Sequence, residues 1–156
     1  PKNKLAKTLS EQGITETKAE EIAFLSQGRP ALAKVLVSDT NFFKKRKEYF
    51  LKLSSALIIE KSPDSLVSLI ESSGWAEKQE EYKKILEDSK YIWHNILLYA
   101  LGIDLILKKY HNQESLDQFL QIYNTRDIIA KIEYINQSVK AINSSVPGEI
   151  LLQSLI

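Results

Sequence analysis

The 156-residue chain contains no cysteine. That excludes disulfides, thiolate metal sites and a cysteine nucleophile. It suits a reducing compartment, and a cytoplasmic location is the expectation. Methionine is absent too, and the chain opens on Pro1-Lys2-Asn3-Lys4. The expectation is an excised fragment or a processed product, with part of the function residing outside it. No apolar stretch follows the start, so it does not read as a secretory signal. No apolar run reaches the roughly eighteen residues of a membrane span. The longest, residues 96–107, is interrupted by Gly102 and Asp104, and no membrane partner is expected. Neither sign of charge dominates: 21 Lys and Arg against 20 Asp and Glu leave a net charge of +1. No global field therefore draws the chain to nucleic acid or to a lipid surface.

Chemical motifs are equally scarce. There is no phosphate-binding G-x-x-x-x-G-K-[ST] loop, no G-x-G and no G-x-S-x-G nucleophile elbow. The two histidines, His94 and His111, are too few for a zinc site, which takes three or four ligands. No catalytic residue, cofactor site or metal site is expected. Asp104, in an apolar stretch, has two readings: a buried acid with a raised pKa, or a residue that lies on a wetter flank or pairs with a lysine.

What is present is helical. Glycine occurs five times and proline four, nearly always between periodic segments, which is how a helical protein is punctuated. No alternating run is bounded by hairpin turns. At 44% hydrophobic the chain has the material for a core, and such a length buries roughly 70% of its unfolded surface. The expected fold is all-α: a small three-helix unit over residues 1–38, then a bundle of five to six helices over 39–156.

The first helix is expected over residues 4–12, with Gly13 as its stop. Thr15 reads as the N-cap of a second helix over 16–27, ended by Gly28. Pro30 opens a third, to about Val37, because a first-turn proline loses no hydrogen bond. Ser38-Asp39-Thr40-Asn41 is a polar break, taken as the domain boundary. A long helix over 40–60 follows, then one capped by Ser62 and closed by Gly74. Ile85, Ile92, Ile96, Tyr99, Ile103 and Tyr110 mark a broadly apolar, central helix with a kink at Gly102. Ser115 and Thr125 are the expected caps of the next two helices. Asn143-Ser144-Ser145 is a loop, and Pro147 opens a terminal apolar helix.

Lys44-Lys45-Arg46-Lys47 is the one dense basic run. It has two readings: a solvated face, or a contact for phosphates or an acidic partner. Consecutive helical residues point all round the axis, so only part of the run can serve one surface. The mixed-charge cluster over 77–84 reads as a solvent-exposed helix face.

Residues 13–37 carry a resemblance. The helix ending at Gly13-Ile14 is followed by Ala19-Glu20-Glu21-Ile22-Ala23-Phe24-Leu25 and then by Ser26-Gln27-Gly28-Arg29-Pro30-Ala31-Leu32-Ala33. This resembles the lid domain of the clamp-loader family of bacterial DNA polymerase III, of the delta-prime type. The remainder is similar in layout to that family's collar domain, although Ser145 stands where an Asn-x-Asn pattern would put its second Asn. The resemblance implies a lid motif at Gly28, Arg29 and Pro30. It also implies a nucleotide-binding domain ahead of Pro1. Arg29 follows Gly28 directly and precedes Pro30, which is not the spacing of the ATP-sensing arginine in the hydrolysing members. The implied function is a non-catalytic oligomerisation scaffold in loading the sliding clamp for DNA replication. Its partners would be other clamp-loader subunits, with DNA met only through the complex. The alternatives are the C-terminal part of the ATP-hydrolysing motor subunit, and a helical nucleic-acid-binding module.

Overall fold

A computed structural model describes residues 2–156. Among them there is no strand, and the all-α expectation holds. The helices are α1 (Lys2–Glu11), α2 (Glu16–Leu25), α3 (Pro30–Ser38), α4 (Thr40–Ser55), α5 (Pro63–Val67), α6 (Trp75–Ala100), α7 (Gln113–Ile122), α8 (Thr125–Asn143) and α9 (Gly148–Gln153). A π-helical segment (Ala56–Glu60) continues α4, and a 3₁₀ turn (Ile106–Lys109) lies between α6 and α7.

The chain forms two compact units, Pro1–Lys52 and Leu53–Ile156. The polar break at 38/39 is not where they divide. Asp39 is at once the C-terminal cap of α3 and the residue whose Oδ1 accepts from Phe42 N at the start of α4, at 3.0 Å. One shared cap leaves no linker. The first turns of α4 then belong with α2: the Phe24 and Phe50 rings meet edge to face at 5.7 Å, and Lys18 Nζ stands 3.2 Å from the centre of the Phe43 ring. Ile22, Phe24, Leu25 and Leu36 are buried in this first unit.

Four helices end alike. After α1, Gly13 N donates to Ser10 O and Ile14 N to Leu9 O. After α2, Gln27 N and Gly28 N donate to Phe24 O and Ala23 O. After α6, Gly102 N and Ile103 N donate to Tyr99 O and Leu98 O; after α8, Ser145 N and Val146 N donate to Ile142 O and Ala141 O. This pair of bonds satisfies the last carbonyls and puts one residue in the left-handed region. That residue is glycine twice, at Gly13 (φ 90°) and Gly102 (φ 71°), but Gln27 (φ 54°) and Ser145 (φ 68°) elsewhere.

These ends correct several sequence expectations. Gly102 stops α6 rather than kinking it, so Ile103 and Tyr110 lie outside the helix. α2 stops at Leu25, because Gln27 already takes the left-handed turn expected of Gly28. α5 ends at Val67, far short of Gly74, which instead precedes α6. Asn112 and Asn124, not Ser115 and Thr125, cap α7 and α8. Asn124 accepts from Asp127 N at 2.9 Å while the Asp127 carboxylate accepts from Asn124 N at 3.0 Å, a reciprocal capping box. Thr15 does cap α2, accepting from Lys18 N.

In the second unit α6 is central, as its breadth of apolar residues requires. Ile85, Leu86, Ile92, Trp93 and Ile96 are buried, and α8 is its most extensive partner. The two helices are antiparallel. Gln79, near the start of α6, bonds to residues just past α8: Nε2 donates to Val146 O and Oε1 accepts from Gly148 N, both at 3.0 Å. At the other end of α6, Trp93 packs on Phe119 and Tyr123 with ring centres 5.3 and 5.5 Å apart. Gly148 lets α9 close on α6, since a Cβ there would overlap Tyr82.

Candidate interaction surface

The Gly28-Arg29-Pro30 corner and one residue of the basic run, Arg46, meet at the C-terminal end of α2. A helix leaves its last carbonyls without partners and gathers partial negative charge there. Here Arg29 Nε donates to Ser26 O at 3.2 Å, and one of its terminal nitrogens donates to Gln27 Oε1 at 3.4 Å. Arg46 reaches the same end from α4, its Nε donating to Leu25 O at 3.0 Å, with the guanidinium 4.7 Å from the Phe50 ring centre. A hydrogen bond from a charged donor contributes roughly 1.5–3 kcal/mol, so Arg46 joins α4 to α2. Gly28 supplies the second left-handed residue of the corner (φ 73°), and Pro30 sits in the first turn of α3 with Arg29 ahead of it as N-cap.

The basic run is therefore divided. Lys47 Nζ pairs with Glu21 Oε1 at 2.9 Å; with Lys47 48% exposed, such a pair contributes about 0–1 kcal/mol. Only Lys44 and Lys45 are exposed and carry no bond to α2. The cluster over 77–84 is divided too. Glu77 and Glu80 face solvent, Tyr82 is buried, and Glu81 accepts from Glu71 N, Ser72 N and Ser72 Oγ. Desolvation pushes the Glu81 carboxyl upward, but these bonds outweigh it and hold the carboxyl below the usual carboxylate range.

The two histidines part company. His94 is exposed on α6. His111 is buried, its Nε2 2.8 Å from Ser54 Oγ, and burial lowers its pKa. Asp104 is half-buried and accepts from Ile106 N at 2.9 Å at the start of the 3₁₀ turn. Among the described residues no group of three or more His, Cys, Asp or Glu could hold a metal ion, and no helix is long and apolar enough to cross a membrane.

What sequence reasoning missed is the apolar surface just past the end of α6. Leu101, Ile103 and Leu105 are exposed, Ile103 by 67%. They follow each other on alternate positions, separated only by Gly102 and by an Asp104 engaged with backbone. The signal was Gly102 itself: a glycine after the last turn is the commonest helix stop, and what lies beyond a stop need not share the helix's buried face. In the terminal segment Leu152 of α9 and Leu155 just past it are fully buried, and Ile150 is exposed. No protein-family model, no curated protein and no solved structure matches this chain.

Proposed function

We propose that this chain is a non-catalytic helical scaffold, the lid and collar portion of a clamp-loader subunit of the delta-prime type. It would join other clamp-loader subunits in loading the sliding clamp for DNA replication. The observation that carries the reading is the corner Ser26-Gln27-Gly28-Arg29-Pro30, in a small helical unit that precedes a larger helical bundle. Arg29 spends its hydrogen bonds on the corner's own backbone and on Gln27, which suits a structural arginine rather than a phosphate sensor. Arg46 and Lys47 likewise serve α2, which weighs against the nucleic-acid-binding alternative.

The test is co-purification of the chain with the clamp-loader subunits of its own source. A stable hetero-oligomer supports the scaffold reading. Failure to associate with any subunit at micromolar concentration, together with steeply salt-dependent DNA binding by the isolated chain, contradicts it.

A further inference from the structure

The near-zero net charge of the chain conceals two opposite blocks. Residues 1–21 are balanced, four Lys and Arg against four Asp and Glu, and so are residues 82–156, eight against eight. Residues 22–52 hold seven Lys and Arg against two Asp and Glu, a net charge of +5. Residues 60–81 hold two against six, a net charge of −4. Every ionisable side chain is counted here, hydrogen-bonded or not. The basic block runs from the later half of α2 through α3 into α4, within the first unit. The acidic block lies in the second unit, from the last π-helical residue through α5 into the first turns of α6.

Both blocks reach the surface. Lys34, Lys44 and Lys45 are exposed in one, Glu71, Glu77 and Glu80 in the other. Among the described residues, none of these six forms an ion pair within the chain. Each block also exposes apolar side chains: Val35 and Val37 follow Lys34, and Trp75, 64% exposed, opens α6 between Glu71 and Glu77. Tryptophan is among the side chains that anchor interfaces, and its ring face attracts a lysine ammonium. We infer that the basic block of one copy of this chain docks on the acidic block of another. A second copy is the occupant because one chain carries both halves of the contact, opposite in sign and nearly equal in size. A net charge of +1 also keeps copies from repelling one another. Exposed ion pairs are individually weak and screened by salt, so the association belongs to low salt and high concentration. The contact joins two different faces, so a copy that has lost one face still engages through the other.

The test is light scattering of the full chain across a concentration series, with no other subunit present. At about 0.01 M salt, where charges act over about 30 Å, the average mass should rise with concentration. At about 0.15 M, where that reach falls to about 8 Å, the association constant should drop tenfold or more. Lys44→Glu combined with Lys45→Glu should weaken self-association at least tenfold, and so should Glu77→Lys combined with Glu80→Lys. Mixed together, these two variants should form a one-to-one complex, because each supplies the face the other lacks. Lys4→Glu combined with Lys7→Glu makes the same change of net charge as the Lys44/Lys45 variant, but within a balanced segment, and should leave association unaltered. All six substitutions are at exposed positions, and unchanged thermal melts confirm that the variants fold. A chain that stays monomeric at millimolar concentration and low salt overturns the inference. So does a mixture of the two face variants that remains monomeric, or a Lys4/Lys7 variant as weak as the Lys44/Lys45 one. Duplex DNA held at Lys44 and Lys45 by a chain that stays monomeric overturns it in favour of a nucleic-acid occupant.

Discussion

Ser145 and His111 are the two residues whose surroundings most sharply limit what they can be. Ser145 occupies a left-handed turn after α8 that glycine enters without a steric penalty. Ser145→Gly should therefore stabilise the chain by about 0.5 kcal/mol, the left-handed penalty removed outweighing the extra freedom gained by the unfolded chain. Gly102→Ala, in the same turn after α6 with open space around it, should cost about 1 kcal/mol. Urea unfolding midpoints check both, and a loss of stability in Ser145→Gly would contradict this reading of the turn. His111 is neutral and buried, with its pKa lowered by desolvation. Its contribution is present above the unfolded histidine value of about 6.5 and is lost as pH falls below it, because the unfolded chain then binds the proton more readily. Unfolding measured across that range should show stability falling with acid, and His111→Gln should flatten that part of the curve.

Among the elements, α9 and α4 depend on side chains that no periodicity marks. α9 is held by the Gln79 amide, which donates to Val146 O just before it and accepts from Gly148 N at its first residue, and by the bare Gly148 backbone against Tyr82. Gln79→Ala should cost about 1–2 kcal/mol by leaving a part-buried donor and acceptor unpaired. Gly148→Ala should cost about 1–3 kcal/mol by overpacking. Hydrogen exchange of the amides in 148–156 should accelerate in both variants; unchanged protection would mean that α9 is anchored elsewhere. On α4 the outcomes should split within one basic run. Arg46→Ala should lose about 1.5–3 kcal/mol with its bond to Leu25 O, whereas Lys44→Ala and Lys45→Ala should stay within about 0.5 kcal/mol. Thermal melts of the three variants decide this, and equal effects would contradict the division of the run.

At the scale of the whole molecule, the helical class and the central place of α6 were legible, because glycine and proline punctuation and the 3.6-residue period act over whole segments. What was not legible was local. Asn112 and Asn124 outcompeted the hydroxyl residues nearby as caps, and a single Asp39 served two helices, joining α4 to the first unit where the sequence shows only a polar gap. The Gly28-Arg29-Pro30 corner was legible, but the use of Arg46 on Leu25 O depends on a contact 21 residues away in the chain, and the exposure of Leu101, Ile103 and Leu105 depends on where α6 stops. The central claim, a scaffold that works by assembling with other clamp-loader subunits, concerns mass rather than chemistry. The most direct measurement is light scattering on an equimolar, micromolar mixture of this chain with those subunits as it leaves a sizing column. The account expects one species whose mass includes this chain, with no free chain left behind; this chain eluting alone from every mixture would contradict it.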